Sequence, residues 1–396
     1  MDHYHLRRLW AVLAVFETGS AMRAAAQIHV SQPTVTSAVA LCEADLGIAL
    51  FDRTSRGMAP TQAGYAFGQR LRAAEGHLKQ AESAIQAKSP IHRLTVDSQL
   101  RALSAIIETG SSSEGARRLG LSQPAIHRAA KDLETLCGVR LFRREGARME
   151  PTADARLLAR HSDLCFREID LAKDEVREFL GFMEGSLRIG ALPLARSQWL
   201  PQAAAATLKQ FPDARFTIMD GPYDEQLAAL RHGRIDLILG ALRASPPRDI
   251  AQDHVFTDPF LILVRADHPL AAGFDSAANK LTPEQLSGLS WVLPRAGTPG
   301  RTNFEAFMAT KDLPSPRRVV ECSSLVTTRE LLLRSDHAAI LSARQVEAEV
   351  RSGLLKVMGP PLTGSERSIG IAHRVDFRPT RLHAAFIEHL MTGQSI

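Results

Sequence analysis

Two polar segments of the 396-residue chain, residues 31–33 and 122–124, share the sequence Ser-Gln-Pro and lie 91 residues apart. Glutamine can form paired hydrogen bonds with adenine, arginine can pair with guanine, and hydroxyl groups and lysine can contact phosphate. Such side chains at the start of an exposed helix are typical of proteins that read duplex DNA. The residues concerned are Ser31, Gln32, Pro33, Thr34, Thr36 and Ser37 in the first segment, and Ser122, Gln123, Pro124, His127, Arg128 and Lys131 in the second.

Both segments belong to a longer internal repeat. Without gaps, residues 9–64 and 100–155 are identical at 20 of 56 positions. Average amino-acid usage would give only about four identities over that length. Because there are two copies and no more, the pattern indicates duplicated domains rather than a solenoid.

Each copy of the repeat predicts three helices followed by two short strands. In the first copy, Gly19 ends the first helix and Ser31 caps the third. In the second copy, Ser111 and Glu114 have the spacing of a capping box at the start of the second helix. Two helices joined by a tight turn, then a third helix and a hairpin, describe a winged helix-turn-helix. The hairpins would add basic contacts through Arg53 and Arg56 in the first copy, and through Arg143 and Arg144 in the second.

Charge distinguishes the two copies. Residues 117–148 hold eight basic and three acidic side chains, whereas residues 1–90 hold nine basic and seven acidic ones. The whole chain has a net charge of only +5, so an attraction to DNA must come from local surfaces. The second copy is therefore expected to bind DNA, and the first copy is either a further DNA contact or a protein-interaction module.

The repeated sequence resembles the LysR-type transcriptional regulators. In the first copy the resemblance lies in AAAQIHVSQPTVTSAV and LGIALFDRTSRGMAPTQAG, and in the second in GARRLGLSQPAIHRAAKDLE and CGVRLFRREGARMEPT. The copies depart from the family pattern at Ser37, where a basic residue is usual, and at Ala155, where the first copy keeps Gly64. The family normally carries one winged module, so the second module is the unusual feature.

The resemblance implies an α+β multidomain chain with a dimerising linker helix and a two-lobed α/β effector domain, similar to periplasmic binding proteins. From residue 187 onward, short apolar strands alternate with amphipathic helices, as such a domain requires. We expect a first winged helix-turn-helix with a short linker helix at 1–88, a second at 92–151, the linker helix at 152–184, one effector lobe at 186–264 and 365–391, and the other at 265–364.

The long linker pattern has apolar residues at helical spacing and contains no proline from residue 152 to 183. An exposed apolar stripe of this length requires a partner. The resemblance implies a second copy of the chain as that partner, and docking on its own domain is the alternative. Residues 61–87 form a shorter counterpart after the first copy, and whether it also pairs is left open.

A ligand of the effector domain should lie where strand ends and helix starts face the cleft between the lobes. Unpaired backbone N–H groups and nearby arginines favour a small polar or anionic molecule, such as a carboxylate, a phosphate or a sugar acid. A neutral sugar remains open. The candidate residues are Leu192, Pro193, Arg295, Thr298, Arg301, Ser323, Ser324 and Ser342.

Other classes of function are disfavoured. The sequence has no run of about 20 apolar residues that could span a bilayer, and its start lacks the apolar core of a signal peptide, so a cytoplasmic protein is expected. Phosphate-loop, dinucleotide, nucleophile-elbow and zinc-protease motifs are absent, and the four cysteines form no metal-like cluster. We therefore expect no enzyme activity, cofactor or metal.

The expected partners are double-stranded DNA, a small-molecule effector and further copies of the chain in a dimer or tetramer, with RNA polymerase as an additional candidate.

Overall fold

The computed structural model describes residues 5–392, apart from residues 56, 146–147 and 277. In the first copy of the repeat, Gly19 ends the first helix with a φ of 65°. Ser31 caps the third helix by accepting a hydrogen bond from the backbone N–H of Thr34, and Thr61 caps the long helix in the same way. The elements are α1 (Leu6–Thr18), α2 (Ala21–Ile28), α3 (Gln32–Leu46), β1 (Phe51–Thr54), β2 (Gly57–Pro60) and α4 (Gln62–Ala84).

The second copy repeats this order of elements after one added turn of helix. Its capping box is only half formed, since Ser111 accepts from the backbone N–H of Glu114 while the Glu114 carboxylate pairs with Arg117 instead. The long helix ends at Phe179, earlier than expected, because Gly181 takes a φ of 85°. The elements are α5 (Ile91–Leu94), α6 (Asp97–Thr109), α7 (Ser112–Leu119), α8 (Gln123–Cys137), β3 (Phe142–Glu145), β4 (Arg148–Pro151) and α9 (Ala153–Phe179).

The two long helices, α4 and α9, pack against each other, and one hydrophobic core runs through both copies. The apolar stripe on α9, for which we expected either a second chain or a docking surface within the chain, is covered within the chain by α4. We call this contact the linker seam. Its buried positions are Phe67, Leu71, Ala74, Leu78 and Ala81 on α4 with Ile85 directly after it, and Leu158, Ser162, Cys165, Ile169, Ala172 and Val176 on α9.

The first effector lobe contains a five-stranded sheet in the order β6-β5-β7-β14-β8. Strands β6, β5 and β7 pair in parallel, β14 pairs antiparallel with β7, and β8 pairs antiparallel with β14. Its elements are β5 (Glu184–Ala191), α10 (Trp199–Gln210), β6 (Asp213–Met219), α11 (Tyr223–Arg231), β7 (Leu237–Ala241), β8 (Ile250–Asp258), β14 (Arg367–Arg374) and α16 (Arg381–Thr392).

The second lobe has the same arrangement, in the order β11-β10-β12-β9-β13. Three strands again pair in parallel, β9 pairs antiparallel with β12, and β13 pairs antiparallel with β9. Its elements are β9 (Leu261–Arg265), α12 (Pro283–Gly288), β10 (Ser290–Leu293), α13 (Pro299–Ala309), β11 (Val319–Glu321), α14 (Leu325–Arg334), β12 (His337–Leu341), α15 (Glu347–Arg351) and β13 (Leu355–Val357).

The lobe bounds differ from the expected ones. Residues 261–264 were assigned to the first lobe, but β9 pairs with β12 and β13 in the second sheet, so the chain crosses between lobes just after Asp258. The first lobe begins with β5 at Glu184 rather than at residue 186. The sequence did not predict β8 and β13, because five of the nine residues of β8 are polar or charged and β13 has only three residues.

The mixed α/β architecture, with helical N-terminal segments and a two-lobed C-terminal part, confirms the predicted fold class. Within the described part of the chain, no helix is both long and apolar enough to cross a membrane.

Candidate functional site

The starts of α3 and α8 are exposed, although the rest of each helix is anchored in the core. Val35 and Val39 hold α3, and Ile126 and Ala130 hold α8 at the equivalent positions. These anchors turn the polar residues outward. The exposed residues are Ser31, Gln32, Pro33, Thr34 and Ser37 on α3, with Thr36 half-buried, and Ser122, Gln123, Pro124, His127, Arg128 and Lys131 on α8.

Some of these hydroxyl groups already have a local role. Ser31 and Ser122 accept hydrogen bonds from backbone N–H groups at 3.4 Å and so cap their helices. The Thr36 hydroxyl donates to the Gln32 carbonyl at 3.1 Å. On α3, therefore, Gln32 and Ser37 remain the polar side chains best placed for an outside partner, whereas α8 presents Gln123 together with its basic residues.

The hairpins lie beside these helices. Arg53 on β1 and Arg143 on β3 are exposed. Arg56 and the side chain of Arg144 lie outside the described residues. Each hairpin thus presents one described, exposed arginine, and the two are not equivalent in the repeat, since Arg53 corresponds to Arg144.

A glutamate that the sequence analysis did not single out fixes each hairpin to its helix. Glu43 Oε1 accepts hydrogen bonds from the backbone N–H groups of Leu50 and Phe51, at 2.7 and 3.1 Å. Glu134, the equivalent residue, holds the second hairpin through the same two bonds at 2.8 and 3.1 Å. A glutamate shared by both copies at a non-cap position was the available signal.

The second copy is joined to the first effector lobe by a buried ion pair. Arg167 on α9 donates to both carboxylate oxygens of Asp236 at 2.9 and 2.6 Å, and both side chains are 1% exposed or less. Burial alone would raise the pKa of Asp236, but the Arg167 charge and hydrogen bonds from His383 and Arg167 hold it below its ordinary range. The linker helix is thereby fixed to the lobe.

Arg70 on α4 makes a second connection to this lobe. Its guanidinium donates to Glu168 at 3.0 Å, to Glu175 at 2.6 Å and to the carbonyl of Arg378 at 2.8 Å. The Arg70 side chain is only 3% exposed. One buried side chain thus joins both linker helices to the segment between β14 and α16.

The predicted effector residues occupy different environments. Pro193, Arg295, Ser323 and Ser324 are exposed, whereas Leu192 is buried and lies against Gly240. Thr298 and Ser324 cap α13 and α14, which leaves both hydroxyls occupied in part. Arg301 pairs with Glu305 at 2.7 Å. Ser342 departs from the expectation: it is fully buried and donates to Asp258, which also pairs with Arg367, so it supports the crossing between lobes rather than facing open space.

The two lobes contact each other near residue 198, five positions after Pro193 in the sequence. Gln198 Nε2 donates to Glu347 Oε2 of the second lobe at 2.5 Å, and the Arg344 guanidinium lies 4.2 Å from the ring centre of Phe256 in the first. Within the described residues, the other amide atom of Gln198, Oε1, and the hydroxyl of Ser197 are buried without hydrogen-bond partners. Sequence reasoning missed both residues, which are candidates for binding a polar ligand.

Two cavities open on the surface of the described structure. One of about 570 Å³ opens beside α3 and is lined by Gln32, Pro33, Thr36, Ser37 and Ala40. Another of about 320 Å³ lies between α10 and α16. Neither is lined by a predicted effector residue.

Comparisons with known sequences agree with this arrangement. The family "LysR substrate binding domain" matches residues 181–394, and "Bacterial regulatory helix-turn-helix protein, lysR family" matches twice, at residues 6–65 and 98–156. The HTH-type transcriptional regulator GalR of Pseudomonas putida is 34% identical over 376 residues, covering 93% of this chain and 92% of the relative. The regulator CbbR of Sinorhizobium medicae is 27% identical over 297 residues, which cover 74% of this chain and 92% of the relative.

Solved structures share the fold. A full-length OxyR variant from Pseudomonas aeruginosa has a TM-score of 0.55 at 22% identity and covers 75% of this chain and 95% of its own. CbnR, described as a LysR family transcriptional regulator, has a TM-score of 0.51 at 22% identity. The match covers 75% of this chain and 98% of the CbnR chain.

Proposed function

The chain belongs to the LysR family of bacterial helix-turn-helix transcriptional regulators, and we propose that it reads promoter DNA mainly through α8 while a small molecule in the effector cleft controls that reading. In this role the protein binds DNA and a small molecule and does not act as an enzyme. The observation that carries it is the start of α8, where Gln123, Arg128 and Lys131 are all exposed on a helix whose opposite face is buried. A rigid helix with this surface suits the major groove.

The first copy contributes through α3 and the Arg53 hairpin. Its surface carries hydroxyl and amide groups in place of cations, so its share of phosphate attraction is smaller. The open cavity along α3 favours a second candidate role for this copy, the contact of another protein such as RNA polymerase. DNA is the preferred partner, because Gln32 occupies the position of Gln123.

The effector is a small polar or anionic molecule. Support comes from the exposed Arg295 and from the unpartnered buried atoms of Ser197 and Gln198 near Pro193. A carboxylate could accept from the Ser197 hydroxyl and pair with an arginine. A ligand that bridges the Gln198–Glu347 contact would bind the open and closed arrangements with different affinity, as control requires.

Further copies of the chain assemble into a dimer or tetramer. Because the linker seam is filled within the chain, such contacts must use other surfaces. Of the edge strands of the effector sheets, β6 has the most exposed residues and is one candidate for this purpose.

The DNA-binding proposal is tested with Arg128→Ala in the full-length chain, by fluorescence anisotropy on a promoter duplex at several salt concentrations. If Arg128 reads a base, binding weakens by about 1–3 kcal/mol. Ser37→Ala at the equivalent position is the matched comparison and should cost less. Affinity that does not depend on salt in the parent chain would contradict DNA binding, since each phosphate contact adds about 0.9 to the slope of log K against log salt.

The effector proposal is tested by thermal shift with a panel of carboxylates, inorganic phosphate and neutral sugars. A ligand that binds the folded state raises the melting temperature. We expect a carboxylate or phosphate to do so, and Ser197→Ala with Arg295→Ala to remove the shift. A response to neutral sugars alone would contradict an anionic ligand.

A further inference from the structure

The linker seam pairs positions that the sequence repeat makes equivalent. Arg70 contacts Glu168 at 3.0 Å, and the rings of His77 and His161 lie 6.0 Å apart. With the 91-residue shift, residue 161 is the equivalent of 70, and residue 168 is the equivalent of 77. An operation that exchanges the two copies therefore converts one pair into the other. Since 70 pairs with 168 while the later residue 77 pairs with the earlier 161, the helices run antiparallel.

The same exchange relates contacts at the outer ends of the seam. A Cβ atom on Gly47, just after α3, would lie 3.9 Å from Leu180 at the end of α9. A Cβ atom on Gly138, just after α8, would contact Lys88, which follows α4, and the Lys88 N–H donates to the Cys137 carbonyl at 2.9 Å. We call α3 and α8 the reading helices. Each reading helix thus contacts the end of the other copy's linker helix.

Burial along the seam follows the exchange as well. Five positions of α4 and Ile85 directly after it are 0–4% exposed, and their six equivalents on α9 between 158 and 176 are 0% exposed. Two surfaces that bury the same set of positions against each other form an isologous contact, the kind made across a two-fold axis. Here both surfaces come from one chain.

We propose that a single chain is a complete reader of two DNA half-sites, with α3 and α8 related by this internal two-fold. Duplex DNA has two-fold axes perpendicular to its length, so two-fold-related helices can enter successive major-groove faces, about 34 Å apart. The inference rests on the proposed DNA binding and adds that both half-sites are read in cis. In the usual family arrangement, which the sequence resemblance implied, the second reading helix comes from another chain.

The two half-sites must be unlike in sequence, because the reading surfaces differ. Thr36, Ser37 and Ala40 on α3 correspond to His127, Arg128 and Lys131 on α8. The glutamines are the same, Gln32 and Gln123, and both are exposed. The target is therefore a non-palindromic duplex with one half-site read by a neutral helix and the other by a basic helix.

The test begins with selection of duplexes by the full-length chain from a random pool of about 40 base pairs, long enough for both half-sites. Gln32→Ala and Gln123→Ala make the same change at equivalent positions, and Gln80→Ala, on the exposed side of α4, is the control. We expect two unlike half-sites about 10 base pairs apart, each lost with one of the two reading variants. Each of those variants should weaken binding by about 5- to 150-fold, and the control should bind as the parent does.

Other results would overturn the inference. A palindromic selected sequence, with both halves dependent on Gln123 and unaffected by Gln32→Ala, would mean that second copies from two chains do the reading. Failure to enrich any sequence, together with salt-independent binding, would instead refute DNA binding itself, so the two failures can be distinguished.

A co-expression experiment tests whether the paired copies belong to one chain. Chains carrying Gln32→Ala and chains carrying Gln123→Ala are produced together, purified and titrated with the selected duplex. If the pair forms within each chain, every pair has one defective helix and binding stays as weak as in the single variants. Recovery of parental affinity in part of the sample would show exchange of copies between chains and would overturn the inference.

Discussion

The two helix-turn-helix segments have the same backbone order but present different surfaces. Val35 and Ile126 are buried at equivalent positions, and Glu43 and Glu134 hold their hairpins through the same hydrogen bonds. At exposed positions the copies differ, as with neutral residues on α3 and cations on α8. Equivalent buried positions of the reading helices stay apolar, whereas the exposed positions 37 and 40 differ in charge from their equivalents, which locates the functional difference on the surface.

The two linker helices differ in a second way. Arg167 of α9 is buried against Asp236 of the first effector lobe, whereas its equivalent on α4 is Gly76. A Cβ at Gly76 would meet nothing in the described residues within 4 Å apart from the adjoining residues and backbone of its own helix. At this position, only the second copy therefore has a side chain that reaches into the lobe.

The largest effect should come from breaking this anchor. Arg167→Ala leaves the buried Asp236 carboxylate without its main counter-charge, which should cost about 3–5 kcal/mol of the free energy of unfolding. Gly76→Ala, the equivalent change, should stabilise the chain by up to about 1 kcal/mol, because alanine favours helix and has room there. Urea denaturation of both full-length variants measures this difference. Similar small effects from the two changes would show that the linkers are not distinct.

A nearly equal pair of losses is expected in the linker seam. Leu78→Ala and Ile169→Ala remove fully buried side chains at equivalent positions, and each should cost about 2–5 kcal/mol. Because one core runs through both copies, each variant should shift the unfolding of the whole N-terminal region. Limited proteolysis that releases the first copy alone from Leu78→Ala would contradict a shared core.

The charge difference between α3 and α8 at positions 40 and 131 can be changed by substitution in either helix. Ala40 and Lys131 are equivalent and exposed. Lys131→Ala should reduce the slope of log K against log salt by about 0.9, and Ala40→Lys should increase it by about 0.9 if α3 lies against phosphate. Salt titrations on the same duplex measure both slopes. An unchanged slope in Ala40→Lys would assign α3 to a partner other than DNA.

The smallest effect concerns pH. Burial lowers the pKa of His77 and of His161 to about 4. Both rings stay neutral in the folded chain while the unfolded chain takes up protons below about pH 6.5, so the free energy of unfolding should fall between about pH 6.5 and 4. In the His77→Gln/His161→Gln variant this fall should be smaller. Urea denaturation across that pH range compares the two proteins, and an identical pH profile would contradict the prediction.

The repeat made the N-terminal elements predictable, because each signal occurs twice. Ser31 and Ser122 both cap reading helices, and Gly19 and Gly110 both follow the first helix with positive φ. Such signals depend on neighbours in sequence. They therefore give helix starts and ends, and the alternation of apolar residues then gives the buried face.

Contacts between distant residues could not be predicted in the same way. The apolar stripe on α9 indicated that a partner was needed but not that residues 62–84 would supply it. The sequence likewise gave no sign that Arg167 would reach Asp236, or that Ser342 would be used at the crossing between lobes. Periodicity identifies which face is buried, whereas the partner of that face depends on the three-dimensional path of the chain.

The linker seam has a consequence for how the protein responds to its own abundance. Helices paired within one polypeptide meet at an effective concentration set by the intervening chain, so their pairing does not weaken on dilution. A seam formed between separate polypeptides would dissociate when few copies are present. This pair of modules therefore stays assembled even at a handful of molecules per cell.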